Sequence, residues 1–242
     1  MKEEEVIALS NLCNFKADHV SPLKQEASGR KYWRVSNTSD SFVLCYLDPT
    51  IGNHLDFIQI TNSLQNNNIN SVNVIYHNDE HGLTLQEDLG DKDLLSILNT
   101  ENKTELIEKS LDLLIQIQNA DIKNIDRFTD NELTDQMYLF KNIFLKNFLN
   151  IEMNSSIDDL ISITMSNLKK HPWLNCHFDY ERRNLILNEH QSITAIDYQD
   201  MKKGPIGIDM AGILIDHYYQ CDDDSIRTVS YTHLRAHETT HD

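Results

Sequence analysis

The feature that most constrains this chain is a change of hydrophobic period near residue 90. Before it, short runs of aromatic and β-branched residues are bounded by turn residues. After it, apolar residues recur every three or four positions. Tyr32, Trp33 and Val35, then Phe42, Val43 and Leu44, read as two strands with a hairpin turn at 37–40. The segment SVNVIYHNDEHGLTLQEDLG reads as two more strands around a turn at 78–82. Helices are expected over 3–14 and 54–65, the second stopped by Asn66, Asn67 and Asn68. Beyond Gly90, helices are expected over 91–99, 104–119, 129–150 and 155–170. In the second of these, Leu106, Leu111, Leu114 and Ile115 share a face. Ser155 with Asp158 resembles a capping box. Two short strands, LILN and SITAI, follow, and then a helix from Asp209 to about Tyr219. A mainly β unit followed by a mainly helical one is an α+β, two-lobed pattern. The expected lobes are residues 1–88, a small antiparallel-sheet N-lobe, and 89–227, a helical C-lobe, with the linker at 87–90.

With 242 residues and 40% hydrophobic content, the chain can bury a substantial core in one large domain or two lobes. No apolar run approaches the roughly 20 residues that span a bilayer. The acidic start, MKEEEVIALS, has no signal-peptide core, so the expected setting is the cytoplasm. Cys13, Cys45, Cys176 and Cys221 are scattered, with no C-x-x-C pair, and read as reduced thiols. A net charge of −17 disfavours nucleic acid and anionic membranes as partners.

The chemistry concentrates between His177 and Asp209. His177-Phe178-Asp179-Tyr180-Glu181-Arg182-Arg183-Asn184 has the form H-x-D-x-x-x-x-N, and Asp197 stands 13 residues after the Asn, behind an apolar strand. Phosphoryl transfer needs an Asp to orient the attacking hydroxyl and take its proton. It also needs oxygen ligands, an Asn and a second Asp, for Mg²⁺ on the phosphates. Alone, His177 reads as a structural histidine and Asp197 as a turn cap. Their spacing, the strand before Asp197 and the lobe order together make the stronger signal.

On these residues the chain resembles the aminoglycoside-phosphotransferase-like kinases, which have a protein-kinase-like fold. The resemblance runs over residues 1–227. Ile196-Asp197-Tyr198-Gln199-Asp200, Gly204-Pro205, Asp209, Asp216-His217-Tyr218, ASGRKYWRV and QEDLG are similar to bacterial anomeric N-acetylmuramate and N-acetylglucosamine kinases. The resemblance implies Asp179 as catalytic base and Asn184 with Asp197 as metal ligands. It implies Ser28, Gly29, Arg30 and Lys31 as a phosphate-covering hairpin, and Glu87, Asp88 and Leu89 against adenine. ATP and Mg²⁺ are the implied cofactors, and a sugar hydroxyl the implied acceptor. Aminoglycosides, choline-type acceptors and a non-catalytic nucleotide-binding module are the alternatives. Asp209 and His177 are expected to brace the catalytic loop. Gln199 and Asp200 read equally as site contacts and as a solvated turn.

Two departures stand out. The strand FVLCYLD has no Lys to pair the phosphates, and HLDFIQITNSLQ has no Glu to pair with one. Arg30 or Lys31 is the expected substitute, and Arg34 reads equally as a solvated residue. The last stretch, TVSYTHLRAHETTHD at 228–242, lacks apolar periodicity and reads as foreign to the fold. Relatives of this type continue with further helices, so the C-lobe is expected to stop short.

Overall fold

In the computed structural model, which describes residues 1–23, 29–151 and 155–215, the β-rich start of the chain forms one sheet. Its strands are β1 (His19–Pro22), β2 (Lys31–Ser36), β3 (Ser41–Tyr46), β4 (Val74–Asn78) and β5 (Leu83–Glu87). They lie in the order β1-β2-β3-β5-β4, all neighbours antiparallel. The turn at 37–40 closes through Asn37 Oδ1, which accepts from the N–H groups of Ser39 and Asp40. Alternation sends Trp33 and Val35 to one face of β2, where they join Leu44, Leu83 and Leu85. That layer packs against Val6 of helix α1 (Glu3–Leu12). β1 has no pattern that marks it locally, being a four-residue edge strand that ends in proline.

Helix α2 (Leu55–Asn66) buries Phe57, Ile60 and Leu64 in the largest core of the molecule. That core also holds Leu106, Leu111, Leu114 and Ile117 of α4 (Lys103–Asn119), together with Tyr180 and Tyr198. Phe57 stacks on Tyr198 with ring centres 5.2 Å apart. Thr61 and the Tyr198 hydroxyl share a hydrogen bond of 2.7 Å. So α2 couples the sheet end of the chain directly to the turn that carries Asp197.

The other helices are α3 (Leu94–Ile97), α5 (Asp130–Leu139), α6 (Ser156–Leu168) and α7 (Gly207–Leu214). Two expectations need correction here. The helix expected over 91–99 is a single turn, started by the Asp93 side chain on Ser96 N–H at 2.8 Å. The helix expected over 129–150 is α-helical only to Leu139 and continues as π-helix over Phe140–Phe148. The capping box proposed at Ser155 also does not form. Ser155 has helical backbone angles and its side chain makes no cap bond, whereas a cap needs an extended backbone. The box closes instead between Thr129 and Glu132.

Two small two-stranded sheets complete the fold. One pairs β6 (Trp173–Cys176) with β9 (Lys202–Pro205), and the other β7 (Leu185–Leu187) with β8 (Ile193–Ala195). Among the described residues, no helix is long and apolar enough to cross a membrane. Cys13, Cys45 and Cys176 are buried free thiols. Burial pushes the Cys13 thiol up to about 11 and the Cys45 thiol up to about 12, which makes them unreactive. Cys221, the Asp216-His217-Tyr218 segment and the 228–242 tail lie outside the described residues.

Gly82 is the tightest point of the sheet. Its φ is +62°, and a Cβ there would stand 1.8 Å from the Leu47 carbonyl oxygen. Its own carbonyl accepts from Leu47 N–H at 2.9 Å and faces His54 Nε2 at 3.1 Å. Gly82→Ala is therefore expected to destabilise the protein by about 3 kcal/mol, from left-handed strain plus overpacking. A urea unfolding midpoint close to that of the unchanged protein would refute this.

Candidate active site

The loop that carries His177 to Asn184 begins where β6 ends and is held by α7. Phe178 has φ +66°, a left-handed conformation that is rare for a bulky residue. Asp209, in the first turn of α7 and 1% exposed, holds it there. One carboxylate oxygen accepts from His177 N–H at 2.7 Å and the other from Phe178 N–H at 2.8 Å. Burial raises the Asp209 pKa, while the nearby His177 and the two N–H donors pull it back down. The Phe178 ring lies over Gly204 of β9, where a Cβ would come within 2.6 Å of it. Gly204 thus has a packing reason of its own to be glycine.

His177 connects the two halves of the site. Its ring is buried, with Nε2 donating to the Ile196 carbonyl at 2.9 Å and Nδ1 accepting from Asp179 N–H at 3.3 Å. That pattern specifies the Nε2–H tautomer. Ile196 N–H in turn donates to the Asn184 carbonyl at 2.9 Å. The loop carrying Asp179 and the turn carrying Asp197 are therefore joined by backbone and imidazole. Asp197 too is left-handed, at φ +62°. Two strained residues at one place mark a site rather than a plain turn.

Asn184 is bonded to Asp179, and Asn184 and Asp197 border one cleft. Asn184 Nδ2 donates to the Asp179 carboxylate at 2.8 Å and to the Asp179 carbonyl at 2.9 Å. Both amide hydrogens are thus used, which leaves the Asn184 carbonyl oxygen as its ligating atom. Gln199 Nε2 donates to Asp197 Oδ1 at 2.6 Å. Gln199 is buried and orients Asp197, whereas Asp200 is exposed. Among the described residues there is no group of three or more His, Cys, Asp or Glu that could hold a metal ion. One carboxylate and one amide oxygen still suit Mg²⁺, which takes most of its ligands from phosphates and water.

Asn184 and Asp197 line a cleft of about 390 Å³ between the sheet and the helical part. Its other walls include Tyr32, Phe57, Val72, Gln86 and Ile186, together with Glu87, Asp88 and Leu89. The linker residues singled out in the sequence therefore stand on the cleft wall. Asp179 reaches the cleft through its bond to Asn184. Arg34, read equally as solvated, is tied down on this wall. It donates to Asp88 through Nε at 2.6 Å and Nη2 at 2.9 Å, and it pairs with Asp91 at 2.8 Å. Asp88 also accepts from Ser41 and from Gly90 N–H, and its pKa falls below the usual range despite burial.

The expected phosphate-covering residues divide. Ser28 lies outside the described residues. Gly29 and Lys31 line a different hollow with Glu5, Leu9, Tyr46 and Asp48. Residues that the sequence reading passed over include Gln86 and Arg183, both on the cleft wall. Tyr180 was also missed, and its buried hydroxyl donates to the Ser110 carbonyl at 2.5 Å. The only signal for Tyr180 was its place inside the H-x-D-x-x-x-x-N stretch.

Comparison with known proteins bears on the family and the fold. A family model described as the phosphotransferase enzyme family (APH) matches residues 19–231. An N-acetylmuramate/N-acetylglucosamine kinase of Pseudomonas putida is 24% identical over 208 residues, covering 84% of this chain and 61% of the relative. The chain thus spans about 61% of the length of that curated relative. Choline kinase LicA from Streptococcus pneumoniae superposes with a TM-score of 0.70 at 15% identity, over 96% of this chain and 80% of that one. The ADP-bound aminoglycoside phosphotransferase APH(2'')-Ib does so with a TM-score of 0.65 at 14% identity, over 97% and 82%. At such identities the superpositions establish a kinase-like fold. The family match over most of the chain goes further: this chain belongs to the APH phosphotransferase enzyme family.

Proposed function

We propose that the chain transfers the γ-phosphoryl group of ATP to a small-molecule hydroxyl, the anomeric hydroxyl of an N-acetylated hexosamine such as N-acetylmuramate or N-acetylglucosamine. The observation that carries the transfer reaction is Asp179 bonded to Asn184, which lines the cleft together with Asp197, Glu87, Asp88 and Leu89. In this reading Asp179 accepts the proton of the attacking hydroxyl and aligns it for in-line displacement. Asn184 steers the Asp179 carboxylate, and Gln199 steers that of Asp197. Asn184 and Asp197 hold Mg²⁺, which supplies charge neutralisation on the phosphates when bound. The sugar assignment rests on the Pseudomonas putida relative and on the similarity of the 196–209 segment. A cytoplasmic setting accords with three buried, reduced thiols.

A coupled ADP-release assay with N-acetylmuramate, N-acetylglucosamine, aminoglycosides and choline tests this reading. Turnover with an N-acetylhexosamine and loss of the signal with its 1-O-methyl glycoside are expected. Turnover with aminoglycosides or choline alone would move the acceptor assignment and leave the transfer reaction standing. ATP binding without transfer to any acceptor would favour a non-catalytic nucleotide-binding module.

A further inference from the structure

We infer that Arg34 is a positioning residue for the nucleotide, a clamp that ties the linker to the sheet and so fixes the cleft wall over 87–91. The inference rests on the reading above that this cleft takes a nucleotide, and it assigns a residue that acts on the cleft through its partners. The first support is register. Along β2 the side chains alternate, with Tyr32 and Arg34 on the cleft wall and Trp33 and Val35 in the core against α1. Arg34 stands opposite Val43 of β3, and Val43 stands opposite Gln86 of β5; all three line the cleft. From β2 the Arg34 side chain reaches across β3 to the linker that follows β5.

The second support is the convergence of donors. The Asp88 carboxylate accepts from Arg34 Nε at 2.6 Å, Arg34 Nη2 at 2.9 Å, Ser41 Oγ at 2.5 Å and Gly90 N–H at 3.0 Å. The two Arg34 bonds make a forked pair, which fixes orientation as well as distance. Past Gly90, Asp91 meets Arg34 Nη1 at 3.1 Å and Nη2 at 2.8 Å. One guanidinium therefore holds the linker on both sides of Gly90.

The third support is that packing gives out at this point. Leu89 leans on the main core, but Gly90 has φ +82° and a Cβ there would meet nothing within 4 Å. A glycine without neighbours can turn freely, so the ion cluster sets the course of the chain here. The two arms differ in strength. The Arg34 and Asp88 side chains are 23% and 11% exposed, whereas that of Asp91 is 78% exposed and its pair is screened by water. Asp88, Leu89, Gly90 and Asp91 all stand on the cleft wall, so whatever fixes them shapes the seat of the base.

Calorimetric titration with ATP·Mg²⁺ and, separately, with adenosine tests this on the unchanged protein, Arg34→Gln, Arg34→Lys, Asp91→Asn and the double variant Arg34→Gln/Asp91→Asn. Arg34→Gln should weaken both ligands in parallel by roughly 3- to 30-fold, and Asp91→Asn by roughly two- to fivefold. The double variant should match Arg34→Gln within about twofold, because the second change removes a bond already lost. Arg34→Lys keeps the charge without the fork and should recover only part of the loss. Amide hydrogen exchange over 87–91 should quicken in Arg34→Gln and Asp91→Asn. Asp91 is exposed, so Asp91→Asn carries the test if the Arg34 variants fail to fold. The inference is overturned if the folded variants bind both ligands like the unchanged protein, if the two losses add, or if ATP·Mg²⁺ weakens while adenosine does not. That last result would put the guanidinium on the phosphates. If the unchanged protein binds neither ligand, the kinase reading fails first and takes this inference with it.

Discussion

Asp179→Asn is expected to lower phosphoryl transfer by roughly 10²- to 10⁴-fold, the range for a lost general base, with little change in nucleotide affinity. The substitution is nearly isosteric. It leaves untouched the backbone bonds that place the loop, namely Asp209 on the N–H groups of His177 and Phe178 and His177 on the N–H of Asp179. What changes is the acceptor. Asn184 Nδ2 now faces an amide, and the attacking hydroxyl finds no carboxylate to take its proton. The loss should therefore sit in kcat and not in the dissociation constant for ATP·Mg²⁺. Single-turnover rates alongside nucleotide titrations separate the two. A variant keeping most of its rate would remove Asp179 from the base role. One that lost nucleotide binding equally would show that the residue organises the cleft.

The second large effect is on stability. Asp209→Ala should cost about 3 kcal/mol, since it strands two buried N–H groups that each cost about 1–3 kcal/mol unpaired. One of those groups belongs to Phe178, held at φ +66°, so the same change also releases the strained turn. Activity should fall with stability, because the His177 and Asp179 backbones move with that turn. Asp209→Asn keeps one acceptor oxygen and should lie between the two. The sign with pH follows from burial. Asp209 is raised above the ordinary carboxylate range in the fold, so ionising it costs folding free energy. Its contribution, measured as the stability difference from Asp209→Asn, is complete below the unfolded-state pKa. It declines as pH rises through the raised value. Chemical denaturation of both proteins at several pH values measures this. A difference that grew with pH would mean that the two N–H donors outweigh burial.

Much of this molecule was legible in its residues. The change of period at residue 90 separated a sheet from a helical part, and the turn at 37–40 and the stops at 66–68 were readable from local chemistry. The spacing of Asp179, Asn184 and Asp197 marked the candidate site, because a loop and a following hairpin are short enough for local sequence to specify. The bracing by His177 and Asp209 was likewise expected, and both now have named partners.

Other features were invisible for identifiable reasons. β9 is Lys-Lys-Gly-Pro, a poor strand by propensity. It is extended because β6 pairs with it, with Trp173 opposite Pro205 and Cys176 opposite Lys202. The Ser155 cap failed because nothing local prevents that residue from adopting helical angles.

What the sequence by itself determined is that a sheet precedes a helical part, and which acidic and amide groups form the candidate site. Hydrophobic period and motif spacing are local properties, carried by a dozen neighbouring residues. What the tertiary structure alone decided is the fate of the basic residues around the missing lysine. Lys31 and Arg34 stand three positions apart and were interchangeable as sequence. Their roles separate because a strand sends successive side chains to opposite faces. Which face meets a cleft and which meets α1 depends on elements far along the chain. The pairing of β2 with β3, and the carboxylates of Asp88 and Asp91 waiting for Arg34, settle that choice.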